Sequence, residues 1–212
     1  MPAISAIATI LEPDRRAYDD AARPQRGRRT ERFSAIFAPF PKTGGCKGDM
    51  KDPDEELVRQ IGAGDRRAAA ELMRRHLPKM VALGARMLGD RAEGEDVAQE
   101  VFLRVWKHAE RWEPGRAKFE TWMHRVAMNL CLDRLRKAGR TAGEVHPDIP
   151  DLSASATQAL EDRQRRQRVR DALGQLPDQQ RAAIVLCYFQ EQSNQDAAEV
   201  LGISVDALES RL

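Results

Sequence analysis

Two polar clusters in the chain have residue types and spacings that suit binding to a charged partner. The first is Asp96, Gln99 and Glu100, two carboxylates and an amide that a helix places on one face. The apolar residues of the same segment, DVAQEVFLRVW, form a neighbouring stripe that predicts burial. Carboxylates in such a cluster accept hydrogen bonds from basic side chains. An internal pair between Glu100 and Arg104 is the alternative, and it leaves Asp96 and Gln99 unexplained.

The second cluster is basic and accompanies a helix predicted from Phe119 to Lys137, whose apolar residues recur at amphipathic spacing. Arginines near a helix C-terminus complement the macrodipole, but cations before its N-terminus gain nothing from it. A phosphate-binding surface explains both ends, and an asparagine on it has the groups to bond a base edge. The pattern alone leaves nucleic-acid binding and a solvated helix face equally open. The cluster comprises Arg116, Lys118, Arg125, Asn129, Arg134, Arg136, Lys137 and Arg140.

The C-terminal segment has the pattern of a helix-turn-helix unit. Ser193 begins a capping box, Gly202 ends that helix, and Ser204 caps the next one, VDALESRL. In a DNA-binding unit of this kind the N-terminal residues of the second helix enter the major groove. Two acids among them suit a polyanion poorly, although a carboxylate can accept a hydrogen bond from cytosine. The residues that would face DNA are Asp206, Glu209, Ser210 and Arg211, whereas Leu208 and Leu212 are predicted to face inward.

Helices are the only elements needed to position these residues. Asp52 is predicted to cap the first helix, and Asp65 caps a second helix that runs to Gly89 with a kink at Pro78. Residues 139–158 are rich in Gly, Pro, Ser and Ala, which indicates a flexible linker. The further helices are predicted over residues 95–112, 119–137, 159–175, 178–190, 194–200 and from 205 onward.

These elements predict an all-α fold of two small helical domains joined by a flexible linker. A four-helix domain covers residues 52–138, and a domain ending in the helix-turn-helix covers residues 159–212. Residues 1–51 contain prolines and arginine clusters without a lasting apolar period, which indicates a disordered extension. A basic DNA-binding arm is the alternative there, and translation from Met50 is a third interpretation.

Composition excludes several classes of function. No apolar run is long enough to span a bilayer, and the N-terminus lacks the features of a signal peptide. Three widely spaced cysteines argue against a disulfide framework and favour a reducing compartment. The four histidines lack metal-ligand spacing. Because the chain also shows neither a nucleophile–base pair nor a phosphate loop, we expect no catalytic residue, metal, cofactor or small-molecule substrate.

The ordered motifs together resemble the extracytoplasmic-function (ECF) class of bacterial RNA polymerase sigma factors. The resemblance rests on DVAQEVF, RVW, KFETW, RVAMNLCLDRLRK, LPDQQRAAIVL and SNQDAAEVLGISVDALESRL, and it covers about residues 54–212. It implies that Asp96, Gln99 and Glu100 dock on a coiled coil of the largest polymerase subunit. It also implies contact with the second-largest subunit, a cytoplasmic location and control by an anti-sigma factor.

The resemblance also assigns the two DNA-binding surfaces. The basic helix would open the minus-10 promoter region by capturing a flipped base, at a cost of a few kcal/mol. Arg125 and Val126 stand where housekeeping sigma factors carry paired aromatics, which implies weaker melting. Minus-10 contacts are expected from Arg116, Lys118, His124, Arg125, Asn129, Arg134, Arg136 and Lys137. Minus-35 contacts are expected from Ser204, Asp206, Ala207, Glu209, Ser210 and Arg211.

A conventional helix-turn-helix regulator that binds DNA as a homodimer is the alternative function. Its DNA-binding domain would resemble the C-terminal segment, but it would need neither the Asp96–Glu100 cluster nor the basic helix. Binding to core polymerase without DNA distinguishes the two.

Overall fold

The computed structural model describes residues 52–112, 118–140 and 167–212. The predictions for residues 1–51, for Arg116, for residues 141–158 of the linker and for residues 159–166 of the next helix lie outside that part. Within it the regular elements are helical, so the predicted all-α fold is confirmed. None of the described helices is both long and apolar enough to cross a membrane.

In the first bundle the structure describes residues 52–112 and 118–140, and these contain four α-helices. They are α1 (Glu55–Gly62), α2 (Arg66–Leu88), α3 (Arg91–His108, followed by a 3-10 turn, Ala109–Arg111) and α4 (Phe119–Arg140). The second bundle, residues 167–212, follows. Its elements are α5 (the helical residues 167–174), α6 (Asp178–Ile184, extended by a π-helical turn, Val185–Phe189), α7 (Asn194–Leu201) and α8 (Val205–Glu209).

Side-chain caps fix where several helices begin. The Asp65 carboxylate accepts a hydrogen bond from the Arg67 backbone N–H at 2.7 Å, as the sequence predicted for α2. The Asp90 carboxylate accepts one from the Glu93 N–H at 2.8 Å. Because of that cap, α3 begins at Arg91, before the predicted start. Pro78 lies inside α2, and the helix continues on both sides of it.

The sequence predicted Asp52 as a cap of α1 alone, but its side chain contacts the starts of two helices. One carboxylate oxygen accepts a hydrogen bond from the Asp54 N–H at 3.0 Å. The other accepts from the N–H of Phe119, the first residue of α4, at 2.5 Å. Asp52 therefore joins the start of α1 to the start of α4, since one carboxylate can satisfy exposed backbone donors of both segments.

The closest helix packing in the first bundle is between α2 and α3. A Cβ on Gly94 would lie 2.6 Å from the Ala85 backbone nitrogen and 2.7 Å from the Val81 carbonyl oxygen. A Cβ on Gly84 would lie 2.7 Å from the Gly94 Cα. Only residues without a side chain allow the two backbones to approach so closely. This contact holds α3, and with it the Asp96–Glu100 segment, against the core.

The second bundle packs on the first, and their apolar residues form one continuous core. Arg181 of α6, which is buried, donates a hydrogen bond to the Met87 carbonyl oxygen of α2 at 2.7 Å. The same guanidinium donates to the Gly174 and Leu176 carbonyls at 3.0 and 3.2 Å. One buried cation therefore satisfies carbonyl groups of both bundles.

Candidate protein and nucleic-acid interface

The acidic–amide cluster, Asp96, Gln99 and Glu100, lies on the outer face of α3. Asp96 is exposed, and Gln99 and Glu100 are half-buried. The opposite face of α3 is packed in the core by Val97, Ala98, Val101, Phe102 and Val105. The helix therefore presents two carboxylates and an amide to solvent from a rigid support.

The internal pair that the sequence offered as an alternative is present. The Arg104 guanidinium donates to the Glu100 carboxylate at 2.5 Å, while 41% of the Glu100 side chain remains exposed. The pair leaves Asp96 at the surface. The cluster therefore retains acceptor groups for an incoming basic side chain.

Helix α4 carries its basic residues at its two ends and along one flank. Lys118, just before the helix, and Arg136 and Lys137, near its end, are exposed. Arg136 pairs with Asp133 at 3.2 Å, and Arg125 and Asn129 are half-buried between the ends. Apart from the buried His124, the predicted minus-10 residues that the structure describes thus keep accessible surface, and 28% of the Arg134 side chain is exposed.

Arg134 lies between α3 and α4. Its Nη1 donates to the Glu93 carboxylate and, at 3.3 Å, to the Glu93 carbonyl oxygen. The guanidinium expected to hold a phosphate is thus already engaged within the bundle, where it ties α4 to α3. The neighbouring Cys131 is buried as predicted, and burial raises the pKa of its thiol to about 12.

His124 is a correction to the expected DNA surface, because its side chain is 0% exposed. The ring contacts the Glu120 carbonyl oxygen through Nδ1 at 2.8 Å and the Gln190 amide oxygen through Nε2 at 3.2 Å. Burial lowers the pKa of His124, although both hydrogen bonds act in the opposite direction. In this arrangement His124 is an interface residue between the bundles and does not reach DNA.

Two acidic residues of α7 face the basic residues of α4. The Asp196 carboxylate lies 3.5 Å from the Lys118 ammonium. Burial and the charge of Asp196 raise the pKa of Glu199, while the charges of Arg125 and Lys118 oppose that rise. The second bundle therefore brings negative charge to the surface expected to bind the minus-10 strand.

The helix-turn-helix has the predicted caps. The Ser193 hydroxyl accepts from the Asp196 N–H at 3.1 Å, and the Ser204 hydroxyl accepts from the Ala207 N–H at 3.1 Å. Gly202 adopts φ 67° between the helices, a left-handed conformation that favours glycine. These caps fix the angle at which α8 leaves α7.

Most of the residues assigned to minus-35 contacts keep accessible surface on α8. Ser204, Asp206, Glu209 and Ser210 are exposed, while Ala207 and Arg211 are half-buried. Arg211 donates to the Gln179 amide oxygen at 3.0 Å. Leu208 is buried as predicted, but Leu212 is 44% exposed, because α8 ends at Glu209.

Comparison with known proteins identifies the family. Residues 72–141 match Sigma-70 region 2, and residues 166–212 match Sigma-70 region 4. The ECF RNA polymerase sigma factor SigW of Bacillus subtilis is 31% identical over 169 residues, which cover 74% of this chain and 90% of SigW. This chain belongs to the ECF sigma factors.

Two further comparisons agree with this family. SigE of Mycolicibacterium smegmatis, also an ECF sigma factor, is 33% identical over 146 residues, which cover 67% of this chain. The chain spans 56% of the length of that relative. Among solved structures, CnrH in complex with the cytosolic domain of CnrY matches with a TM-score of 0.55 and 30% identity, covering 75% of this chain and 89% of CnrH.

Sequence reasoning missed the residues that join the two bundles. Gln190 and Arg181 are buried polar residues whose partners lie far away in the sequence, at His124 and Met87. Asp196 was recognised as part of a capping box, but not as the partner of Lys118. A local sequence pattern holds no signal for such pairs, since only the packing of the bundles brings them together.

Proposed function

We propose that this ECF sigma factor binds core RNA polymerase through the acidic–amide cluster, directs it to particular promoters and helps to melt the minus-10 region. The observation that carries the proposal is that exposed Asp96 and half-buried Gln99 and Glu100 lie on the outer face of α3. The opposite face of this helix is packed in the core. Carboxylates and an amide on a rigid surface suit a partner that presents arginines, because charge-assisted hydrogen bonds are strong and directional.

The minus-10 contacts come from the accessible side chains of α4. Lys118 precedes the helix, Arg136 and Lys137 lie near its C-terminal end, and Arg125 and Asn129 lie between them. Cations spaced along a helix neutralise successive phosphates of the displaced strand, while an asparagine can hydrogen-bond to a base. These contacts offset the few kcal/mol that unstacking a base costs.

The minus-35 contacts come from the exposed residues of α8, with Ser204 at its N-terminal end. Here the exposed acids Asp206 and Glu209 limit binding to phosphates, so these positions favour contacts to base edges such as the cytosine amino group. The division into a minus-10 domain over residues 52–138 and a minus-35 domain over residues 159–212 follows from these roles.

The partners follow from the same roles. They are core polymerase, promoter DNA and an anti-sigma factor that holds the protein inactive. The catalytic chemistry belongs to the polymerase, and the protein acts in the cytoplasm, where its partners are. Support for a protein partner comes from CnrH, which was solved together with the cytosolic domain of CnrY.

Replacement of Asp96, Gln99 and Glu100 by alanine tests the docking role. We expect the full-length variant to lose capture of core polymerase and run-off transcription, while its helical circular dichroism and melting temperature stay near those of the wild type. The matched control replaces Glu55, Glu56 and Gln60 of α1, which are also two carboxylates and an amide on the surface of the first bundle. Normal polymerase capture by the cluster variant would overturn the proposed docking site.

A further inference from the structure

We infer that Asn194 of α7 is a positioning residue for promoter recognition, because its amide holds the carboxylate of Glu209 on α8 in one orientation. The inference rests on the proposed function, since Glu209 is one of the residues that we assign to the minus-35 element. It deepens that function by naming a residue that acts through Glu209 and thereby sets which base this carboxylate prefers. The preferred base is cytosine, whose amino group donates in the major groove.

Glu209 takes its hydrogen-bond partner from another helix. Asn194 Nδ2 donates to Glu209 Oε1 at 3.1 Å, across 15 positions of the chain. Within α8, the residues three and four positions before Glu209 are Asp206 and Val205, and neither an ionised carboxylate nor an apolar side chain can donate to it. A glutamate without a partner samples many rotamers and loses that freedom when it binds a base. The bond from Asn194 restricts the carboxylate before DNA arrives.

The Asn194 amide is itself held in orientation. Asn194 is the first residue of α7, directly after the Ser193 cap. The Cys187 thiol donates to Asn194 Oδ1 at 3.9 Å, so the amide oxygen faces the π-helical turn while the amino group faces α8. Burial raises the pKa of the Cys187 thiol, which keeps it protonated and able to donate. Because both ends of the amide are engaged, one orientation is favoured over the flipped one.

A neutral amide is a suitable partner for a carboxylate that must also bind a base. An arginine could engage both carboxylate oxygens at once and would neutralise their charge. Asn194 engages Oε1, so Oε2 of the exposed Glu209 can accept a further hydrogen bond. The charge that remains attracts the cytosine amino group and repels phosphates. The carboxylate therefore favours contact with a base edge over contact with the DNA backbone.

A second amide holds the residue of opposite charge just beyond α8. The Gln179 side-chain oxygen of α6 accepts a hydrogen bond from Arg211 Nη1 at 3.0 Å. Helix α8 has only five residues, so its own hydrogen bonds fix its C-terminal end weakly. Buried Leu208 anchors it to the core. Amides from α6 and α7 therefore fix this end of α8 from two other helices.

Replacement of Asn194 by aspartate tests the positioning role, since it keeps the shape of the side chain and removes the donor. The full chain with core polymerase is incubated with a double-stranded DNA library of random sequence, and the captured DNA is sequenced. We expect the wild type to enrich cytosine at one position of the upstream element, and Glu209→Ala to lose that preference. Asn194→Asp should weaken the same preference by about threefold to tenfold, the range that one hydrogen bond contributes, and leave the other positions unchanged.

Helix stability is separated from positioning by the choice of this substitution. An aspartate in the first turn of a helix interacts favourably with the helix dipole, so a merely structural role of Asn194 predicts no loss of preference. The matched control is Gln180→Glu, which adds the same charge in the first turn of α6 and should keep the wild-type preference. Asn194→Asp combined with Glu209→Ala should select the same bases as Glu209→Ala alone, because Asn194 acts through Glu209.

Three results would overturn the inference. They are full cytosine preference in Asn194→Asp, an equal loss of preference at every position in that variant, and a wild-type preference that does not depend on Glu209. Capture of core polymerase is measured in parallel without DNA. Its absence in the wild type would contradict the proposed function instead.

Discussion

At the scale of single residues, Asp54 is the most heavily engaged carboxylate at the junction of α1 and α2. It is buried, contacts His76 Nε2 at 2.6 Å and accepts a hydrogen bond from Arg75 at 3.2 Å. Burial alone would raise the pKa of Asp54, but the hydrogen bond and charge of His76, together with Arg75, lower it below its usual value. The carboxylate therefore contributes stability in its ionised form.

Replacement of Asp54 by alanine should destabilise the first bundle. The change leaves the His76 ring buried without this partner, and the loss of one member of a buried pair costs about 3 kcal/mol. Urea denaturation followed by circular dichroism measures the effect. Glu56→Ala, which removes an exposed carboxylate paired with Arg59 in α1, is the control and should leave the midpoint near that of the wild type.

The lowered pKa of Asp54 predicts the direction in which the free energy of unfolding changes in acid. Because the pKa of Asp54 is lowered in the folded state from an ordinary value of 3.8, its contribution is fully present above that value. The contribution is lost as the pH falls through the lowered pKa. The difference in unfolding free energy between wild type and Asp54→Ala should therefore shrink in acid. A constant difference across that range would mean that the charge of Asp54 is unimportant.

Residue roles were predictable where they depend on local spacing. The position of Asp96 beside a buried stripe, the burial of Cys131 and the Ser204 cap all follow from helical periodicity and capping chemistry. His124 was assigned to DNA through the family resemblance of α4, and the periodicity of one helix could not show that another bundle covers it. Its burial depends on Gln190, a residue of the other bundle.

At the scale of elements, the glycine contact between α2 and α3 determines how the acidic–amide cluster is supported. Gly94→Ala would place a methyl group 2.6 Å from the Ala85 nitrogen and 2.7 Å from the Val81 oxygen, so the helices must separate. We expect a loss of about 1–3 kcal/mol despite the better helix propensity of alanine. Thermal unfolding measures this loss, and weaker polymerase capture should accompany it if α3 shifts.

The control for this change is Gly139→Ala, which lies near the end of α4. A Cβ at Gly139 would meet nothing within 4 Å, so only helix propensity changes. This variant should be as stable as the wild type or slightly more stable. Equal stability of Gly94→Ala and Gly139→Ala would show that the close approach of α2 and α3 relaxes without cost.

The bounds of elements were predictable to the extent that their caps were recognised. The Asp65, Ser193 and Ser204 caps were visible in sequence and fixed the starts of α2, α7 and α8. The Asp90 cap was overlooked, so the predicted third helix began too late. Asp52 was expected to serve α1, but its second carboxylate oxygen binds the start of α4, a contact that depends on the tertiary fold.

At the scale of the whole molecule, the sequence predicted the helical content, the order of motifs and the family, because each depends on local patterns. The packing of the second bundle on the first follows from no local pattern. Its contacts join residues far apart in the chain, such as Lys79 with Gln190 and Met87 with Arg181, and no periodicity encodes them. The charge distribution of the sequence is consistent with contact between the two bundles, since residues 54–140 carry an excess of basic side chains and residues 141–212 an excess of acidic ones.

The two bundles should separate from each other as the pH falls through the range in which an exposed histidine titrates. His124 is surrounded by Glu120 of its own helix, by Lys79 of α2 and by Gln190 of the second bundle. Burial lowers the pKa of His124 while the two bundles are packed together. The form with separated bundles therefore binds the proton more readily. Acidification from about pH 7 to about pH 5, which falls below the ordinary histidine pKa, therefore favours separation of the two bundles.

Small-angle X-ray scattering across this range measures the change, and a larger radius of gyration at the lower pH is the expected result. His124→Gln keeps a polar side chain at the interface but cannot titrate, so its radius of gyration should be independent of pH over the same range. The proton acts on the interface because His124 is buried by the second bundle, whereas a histidine buried within the first bundle alone would leave the pair unaffected. An identical pH response in wild type and His124→Gln would therefore assign the opening to another group and contradict this role of His124.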